Sequence, residues 1–70
     1  MSLTIDDHTA AGCKHATASL DMLAKVHGRG NAKAHCGGFM TGARNWLVSE
    51  YGRRDAYNLL QALADDVIEP

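Results

Sequence analysis

The sequence predicts an all-α fold with three helices, arranged as a three-helix bundle or as a helical hairpin plus a third helix. Apolar residues recur at spacings of three and four in three stretches, and no stretch alternates with a period of two. Glycine-containing breaks separate the stretches, and the only proline is the last residue. The predicted helices cover residues 5–27, 32–51 and 54–68.

The first predicted helix begins with a capping signal. The run Thr4-Ile5-Asp6-Asp7 has the pattern in which a hydroxyl and a carboxylate three residues later bond each other's backbone N–H groups. The two aspartates also suit the positive end of the helix dipole. Gly28 is expected to end this helix. The apolar stripe between these two ends consists of Cys13, Ala16, Leu20, Leu23 and His27.

The second predicted helix begins after Asn31, a favourable N-cap residue, and ends at Tyr51 before Gly52. Its broad apolar face is marked by Cys36, Phe39, Met40, Ala43, Trp46, Leu47 and Glu50.

Glycines are the least helix-like feature of this second stretch. Ala34, Gly38 and Gly42 lie one turn apart on one face, and an interior glycine costs about 1 kcal/mol relative to alanine. Either another helix crosses closely over Gly38 and Gly42, or the helix breaks near Gly37-Gly38. The first explanation is preferred, with the crossing helix coming from the same chain or from a partner.

The third stretch has the most regular helical pattern in the chain. Asp55 is expected in its first turn, where an acidic side chain is favourable, whereas Asp65, Asp66 and Glu69 place negative charge at the unfavourable end of the dipole. The apolar stripe consists of Ala56, Leu59, Leu60, Leu63 and Val67.

Length and composition predict one small domain, residues 1–70, with a thin core. The apolar fraction is 46%, but alanine accounts for much of it, and alanine contributes little on burial. A domain this short buries only about 60% of the surface of its unfolded chain. We therefore expect association with a second copy, as a homodimer, to complete the core.

Charge is unevenly distributed along a chain whose net charge is −1. An acidic start and an acidic end flank a basic middle, which predicts either charges that pair within a bundle or across a dimer, or a phosphate-binding face. The candidate nucleic-acid contacts are Lys25, Arg29, Lys33, Arg44, Arg53 and Arg54.

Catalytic and metal-binding patterns are weak in this sequence. Cys13 could converge with His27 and Cys36 on the apolar faces, but no pair has the ligand spacing typical of zinc sites. His35 and Cys36 are adjacent, so on a helix their side chains diverge. The glycines at 28 and 30 lack the strand and the lysine of a phosphate-binding loop. We expect no catalytic residue, no metal and no cofactor.

Membrane insertion is not expected, because the longest run without a charged residue is residues 34–43, and a spanning helix needs about 20 apolar residues. The first ten residues also lack the basic start of a secretory signal. A cytoplasmic protein with two reduced, mostly buried cysteines is the expectation.

These observations favour a non-catalytic helical protein that acts through protein–protein interaction or regulation. Its partner is expected to be a second copy or another protein. A nucleic-acid-binding regulator that uses residues 25–54 is the alternative. The predicted helix-packing interface consists of Ala34, Gly38, Gly42, Trp46 and Tyr57.

Overall fold

The structure, a computed structural model, describes residues 2–69 and shows three helices with no strand in that range. They are α1 (Ile5–His27), α2 (Arg29–Tyr51) and α3 (Arg53–Ile68). The predicted all-α class is confirmed, and three helices are consistent with the predicted three-helix bundle.

The chain divides into two compact units, Met1–Gly37 and Gly38–Pro70. The first unit contains α1 and the beginning of α2, and the second contains the rest of α2 together with α3. Helix α2 continues through Gly37-Gly38 without a break, and neither glycine has a positive φ. Of the two explanations for the interior glycines, the break is therefore wrong.

The start of α1 has the predicted capping box. The backbone N–H of Asp7 donates to Thr4 Oγ1 at 3.1 Å, and the backbone N–H of Thr4 donates to Asp7 Oδ2 at 3.0 Å. The backbone N–H of Thr4, which donates to the carboxylate, lowers the pKa of Asp7 most, and the Thr4 hydroxyl lowers it further, because both favour the ionised form. The two bonds satisfy N–H groups that a helix start otherwise leaves without a partner.

A single glycine joins α1 to α2. The N–H of Gly28 donates to the carbonyl of Ala24 at 3.0 Å, and its own carbonyl accepts from the N–H of Ala32 at 3.1 Å. Gly28 has φ 90° and ψ 158°, a backbone conformation that is essentially restricted to glycine. This conformation allows one residue both to end the hydrogen bonding of α1 and to start that of α2.

This junction corrects the predicted start of α2, which begins at Arg29 and not at residue 32. Asn31 is not an N-cap, because Gly28 already supplies the carbonyl that starts the helix. Asn31 lies in the first turn, and its Nδ2 donates to the carbonyl of His27 at 2.8 Å. The predicted polar capping residue therefore closes the end of the preceding helix.

Gly52 joins α2 to α3 in the same way. Its N–H donates to the carbonyl of Val48 at 2.9 Å, and its carbonyl accepts from the N–H of Ala56 at 3.2 Å. Gly52 has φ 87° and ψ 166°. The predicted end of α2 at Tyr51 is confirmed, and α3 begins one residue earlier than predicted.

Burial is concentrated beside the two glycines. Among the described residues the buried side chains are Ala32, 8% exposed, and Ala56, 2% exposed. A half-buried set surrounds them, Ala16, Leu20, Leu23, Ala24 and Cys36 in the first unit and Leu47, Val48 and Leu60 in the second. The apolar stripes are thus covered where they approach a helix junction and exposed farther away.

Candidate interaction surface

The α3 stripe, defined as Ala56, Leu59, Leu60, Leu63 and Val67, is only partly covered. Ala56 is buried and Leu60 is half-buried, but exposure then rises along the helix. Leu59 is 48% exposed, Leu63 57% and Val67 82%. The sequence predicted these residues on one helical face, and α3 places them there. Beyond the first turns of α3 this face is solvent-accessible.

Charges of opposite sign mark the two ends of α3. Arg53 and Arg54 occupy its first turn, while Asp65, Asp66 and Glu69 lie at its other end. Asp65 Oδ1 accepts a hydrogen bond from Gln61 Nε2 at 2.9 Å. No ion pair engages these charged groups within residues 2–69. The pairing of charges within the chain, expected as one reading of the charge pattern, is absent from this helix.

An aromatic pair lies near the end of α2. The rings of Trp46 and Tyr51 meet edge to face, with centroids 5.9 Å apart and planes at 73°. Both side chains are more than half exposed. Trp46 was a predicted interface residue, whereas Tyr51 was missed because five residues is not a helical-face spacing. Tyr57 of α3, also predicted, is 64% exposed.

The predicted packing row of Ala34, Gly38 and Gly42 is exposed along its length. Apart from the adjoining residues and the nearby backbone of α2 itself, a Cβ atom built on Gly38 or Gly42 would meet no atom of residues 2–69 within 4 Å. Ala34 belongs to the first unit and the two glycines to the second. A crossing by a helix of another copy stays a prediction.

The six candidate nucleic-acid contacts are all exposed and are divided equally between the units. Lys25, Arg29 and Lys33 belong to the first unit, and Arg44, Arg53 and Arg54 to the second. Arg44 donates to Asn45 Oδ1 through Nε at 3.2 Å and through Nη2 at 3.1 Å. In the described part of the chain none of the six forms an ion pair.

The cysteines are both free, with Cys13 exposed and Cys36 half-buried. The expectation of mostly buried thiols is therefore wrong for Cys13, since the stripe of α1 is uncovered before Ala16. Residues 2–69 contain no group of three or more His, Cys, Asp or Glu side chains arranged to hold a metal ion. Within the same range, every helix is too short or too polar to cross a membrane.

Comparison with protein-family models, with curated protein sequences and with solved structures gives no match for this chain.

Proposed function

We propose that this chain is a small non-catalytic protein that acts by associating with protein, through apolar side chains of α3 and the second half of α2. The observation that carries the proposal is the exposure of the α3 stripe from Leu59 to Val67. An apolar face that is exposed on a regular helix is typical of a binding surface. Self-association is the form of this proposal that can be tested without an identified partner.

Exposed side chains on α2 extend the apolar surface of the second unit. Phe39, Met40 and Trp46 are each more than half exposed. Large aromatic and methionine side chains are enriched at the centres of protein interfaces. Fully burying one such side chain contributes roughly 1.5–3 kcal/mol, so a partner that covers even part of this surface would stabilise the chain substantially.

The proposal assigns no catalytic role to the thiols. Cys36 follows His35 directly in α2, and neighbouring residues on a helix point in different directions. A nucleophile needs a base within hydrogen-bonding distance, and the helix does not bring these two side chains into that relation.

Light scattering across a wide concentration range tests the proposal. We expect a mass that rises above the 7.5 kDa of one chain as the concentration increases. The measurement is repeated in high salt, which releases any bound polyanion without weakening apolar contacts. A mass that stays at one chain under every condition contradicts self-association.

Nucleic-acid binding is the second candidate, favoured by the exposed basic side chains that have no ion pair within residues 2–69. Phosphate contacts release counterions, so binding should weaken steeply as salt rises. Replacing both Arg53 and Arg54 by glutamate should abolish binding. Binding that is insensitive to salt, or to this double substitution, contradicts the use of the basic middle.

A further inference from the structure

We propose that Gly52 is a hinge, bent in this structure and straight in a dimer that joins α2 and α3 into one helix and exchanges α3 between two copies. The inference rests on the proposed function, because it names the second copy as the partner. Gly52 is the single non-helical residue between Tyr51 and Arg53. Its N–H and its carbonyl already bond Val48 and Ala56, four residues away on either side, as in a continuous helix. The dihedral angles of one residue therefore separate the two forms.

Straightening the hinge would pair backbone groups that the bend leaves without a helical partner. The N–H groups of residues 53–55 donate to no backbone carbonyl of residues 2–69. They are the first N–H groups of α3, and the carbonyls of residues 49–51 are the last of α2, which a helix end leaves unpaired. In a continuous helix these N–H groups donate to those carbonyls. The straight form therefore gains backbone hydrogen bonds that the bent form lacks.

The charges on either side of Gly52 suit one continuous helix better than two separate ones. Glu50 lies in the last turn of α2, and Arg53 and Arg54 lie in the first turn of α3. Each of these charges has the unfavourable sign for the dipole at its own helix end, and Asp55 offsets only one of the two arginines. In a straight helix both dipole ends disappear and Glu50 lies one turn before Arg54. A glutamate four residues before a basic residue stabilises a helix.

The junction at Gly28 has the same bend but the opposite charge pattern. A continuous helix there would place Lys25 one turn before Arg29, and like charges at that spacing repel each other. Lys25 and His27 already suit the end of α1, and Asn31 Nδ2 donates to the His27 carbonyl. The residues around the first junction thus stabilise its bent form, whereas α3 begins without a side-chain cap. This difference assigns the hinge to the second junction.

The side chains covered beside the hinge select a second copy as the partner. Ala56 is 2% exposed, and Leu47, Val48 and Leu60 are half-buried in the same unit. Straightening would uncover them within one chain. The α3 of a second copy brings the same side chains back to the same part of α2, so exchange restores between two chains the contacts that opening breaks.

Gly52→Ala tests the hinge directly. A residue with a Cβ atom is strained at φ 87° and is favoured over glycine inside a helix. Apart from its neighbours in the chain, a Cβ atom at this position would meet no described atom within 4 Å. In sedimentation velocity experiments the dimer should therefore become tighter by about thirtyfold or more. A variant whose dimer is no tighter than that of the unsubstituted chain overturns the hinge.

Gly28→Ala is the matched control, because Gly28 has φ 90° and the same free space. It should tighten association at least about threefold less than Gly52→Ala, since charge repulsion opposes straightening at the first junction. Circular dichroism of both variants keeps loss of folding separate from a change in association. Equal tightening by the two substitutions contradicts the assignment of the hinge to Gly52.

Charge substitutions test the hinge with the glycine intact. Ser49→Glu should tighten the dimer roughly threefold to tenfold, because it adds a pair with Arg53 in the straight form and a second unfavourable charge at the end of α2 in the bent form. Glu50→Lys should weaken the dimer by a similar factor. Ser19→Glu is the control, an equally exposed serine inside α1, and should have no effect. The hinge is overturned if Ser49→Glu and Glu50→Lys shift association in the same direction or not at all.

Amide hydrogen exchange followed by NMR measures the straightening itself. In the Gly52→Ala dimer the amides of residues 53–55 should exchange at least about tenfold more slowly than in the unsubstituted monomer, because each has gained a helical hydrogen bond. The amides of residues 29–31, which begin α2 after the first junction, are the internal control and should keep their rates. A dimer in which residues 53–55 stay unprotected is formed by another surface. That result overturns the hinge and leaves the proposed function standing.

Discussion

The two glycine junctions are built alike and leave very different surfaces. At each, the glycine N–H ends one helix, the glycine carbonyl starts the next, and φ is close to 90°. An alanine four residues after the glycine is buried in both cases, Ala32 after Gly28 and Ala56 after Gly52. The junction at Gly28 is followed by a polar, glycine-rich stretch, whereas the junction at Gly52 is followed by the exposed α3 stripe. The same backbone arrangement is therefore followed by two different surfaces.

Burial matches at several corresponding positions close to the two glycines. The residues five and four before each glycine are half-buried, Leu23 and Ala24 in one unit and Leu47 and Val48 in the other. Eight residues after each glycine lies another half-buried side chain, Cys36 in the first unit and Leu60 in the second. After each junction the cover reaches about two turns, whereas before Gly28 half-buried residues extend back to Ala16, about three turns away.

The largest effect is expected from replacing both glycines by alanine. A residue with a Cβ atom in this backbone region costs about 1–3 kcal/mol, so the double variant should lose that amount at each junction. Thermal unfolding followed by circular dichroism measures the loss.

Gly30→Ala is the matched control for the junction glycines. Gly30 lies inside α2 and its φ is not positive. Apart from the adjoining residues and the nearby helix backbone, a Cβ atom there meets no described atom within 4 Å. This variant should be stabilised by up to about 1 kcal/mol. If Gly28→Ala and Gly52→Ala behave like Gly30→Ala, the junctions do not depend on the positive φ.

Enlarging the buried alanines should distinguish the junctions. Ala56→Leu is expected to destabilise its unit by about 1–3 kcal/mol, because the added methyl groups have to displace neighbours. Ala32→Leu should cost less, since Ala32 retains 8% of its exposure against 2% for Ala56. Ala64→Leu, at an exposed position of α3, is the control. If the three substitutions lower stability equally, burial of the alanine does not determine the loss.

Asn31 gives the first junction a bond that the second lacks. Asn31→Ala removes the bond from Nδ2 to the His27 carbonyl and should cost about 0.5–1.5 kcal/mol. Asp55 occupies the matching place after Gly52, and an ionised carboxylate only accepts hydrogen bonds. Asp55→Ala should therefore act only through the helix dipole, with a loss that shrinks in high salt, whereas the Asn31→Ala loss should not change with salt.

The smallest effect is a pH dependence confined to the start of α1, which has a side-chain cap that the start of α3 lacks. The pKa of Asp7 is lowered from its ordinary value of 3.8 by its bonds to Thr4. Its contribution to helix stability is thus fully present above that value and is lost as the pH falls through the lowered pKa. Hydrogen exchange of the first turn should accelerate accordingly, after correction for intrinsic rates. Asp7→Asn should remove the transition, and a transition that persists in this variant would assign it to another group.

Local patterns explain what the sequence predicted well. Capping at Thr4 and the helix ends at Gly28 and Gly52 each depend on a few neighbouring residues, and all three were predicted. Asn31 was misassigned because its preference for helix starts is a local tendency, which the carbonyl of Gly28 overrides. Exposure of Leu63 and Val67 could not be predicted from periodicity, since a stripe specifies which residues share a face and not what covers that face.

The glycine junctions also bear on the rate at which the chain is expected to fold. The hydrogen bonds described at both junctions join residues four apart or fewer, and chains dominated by such local contacts fold fastest. Helix formation in the separate chain should relax on a scale of about 0.1–1 µs for each helix. In a temperature-jump experiment this fast phase should be independent of protein concentration, and the self-association proposed above predicts a second, slower phase that accelerates as the concentration rises.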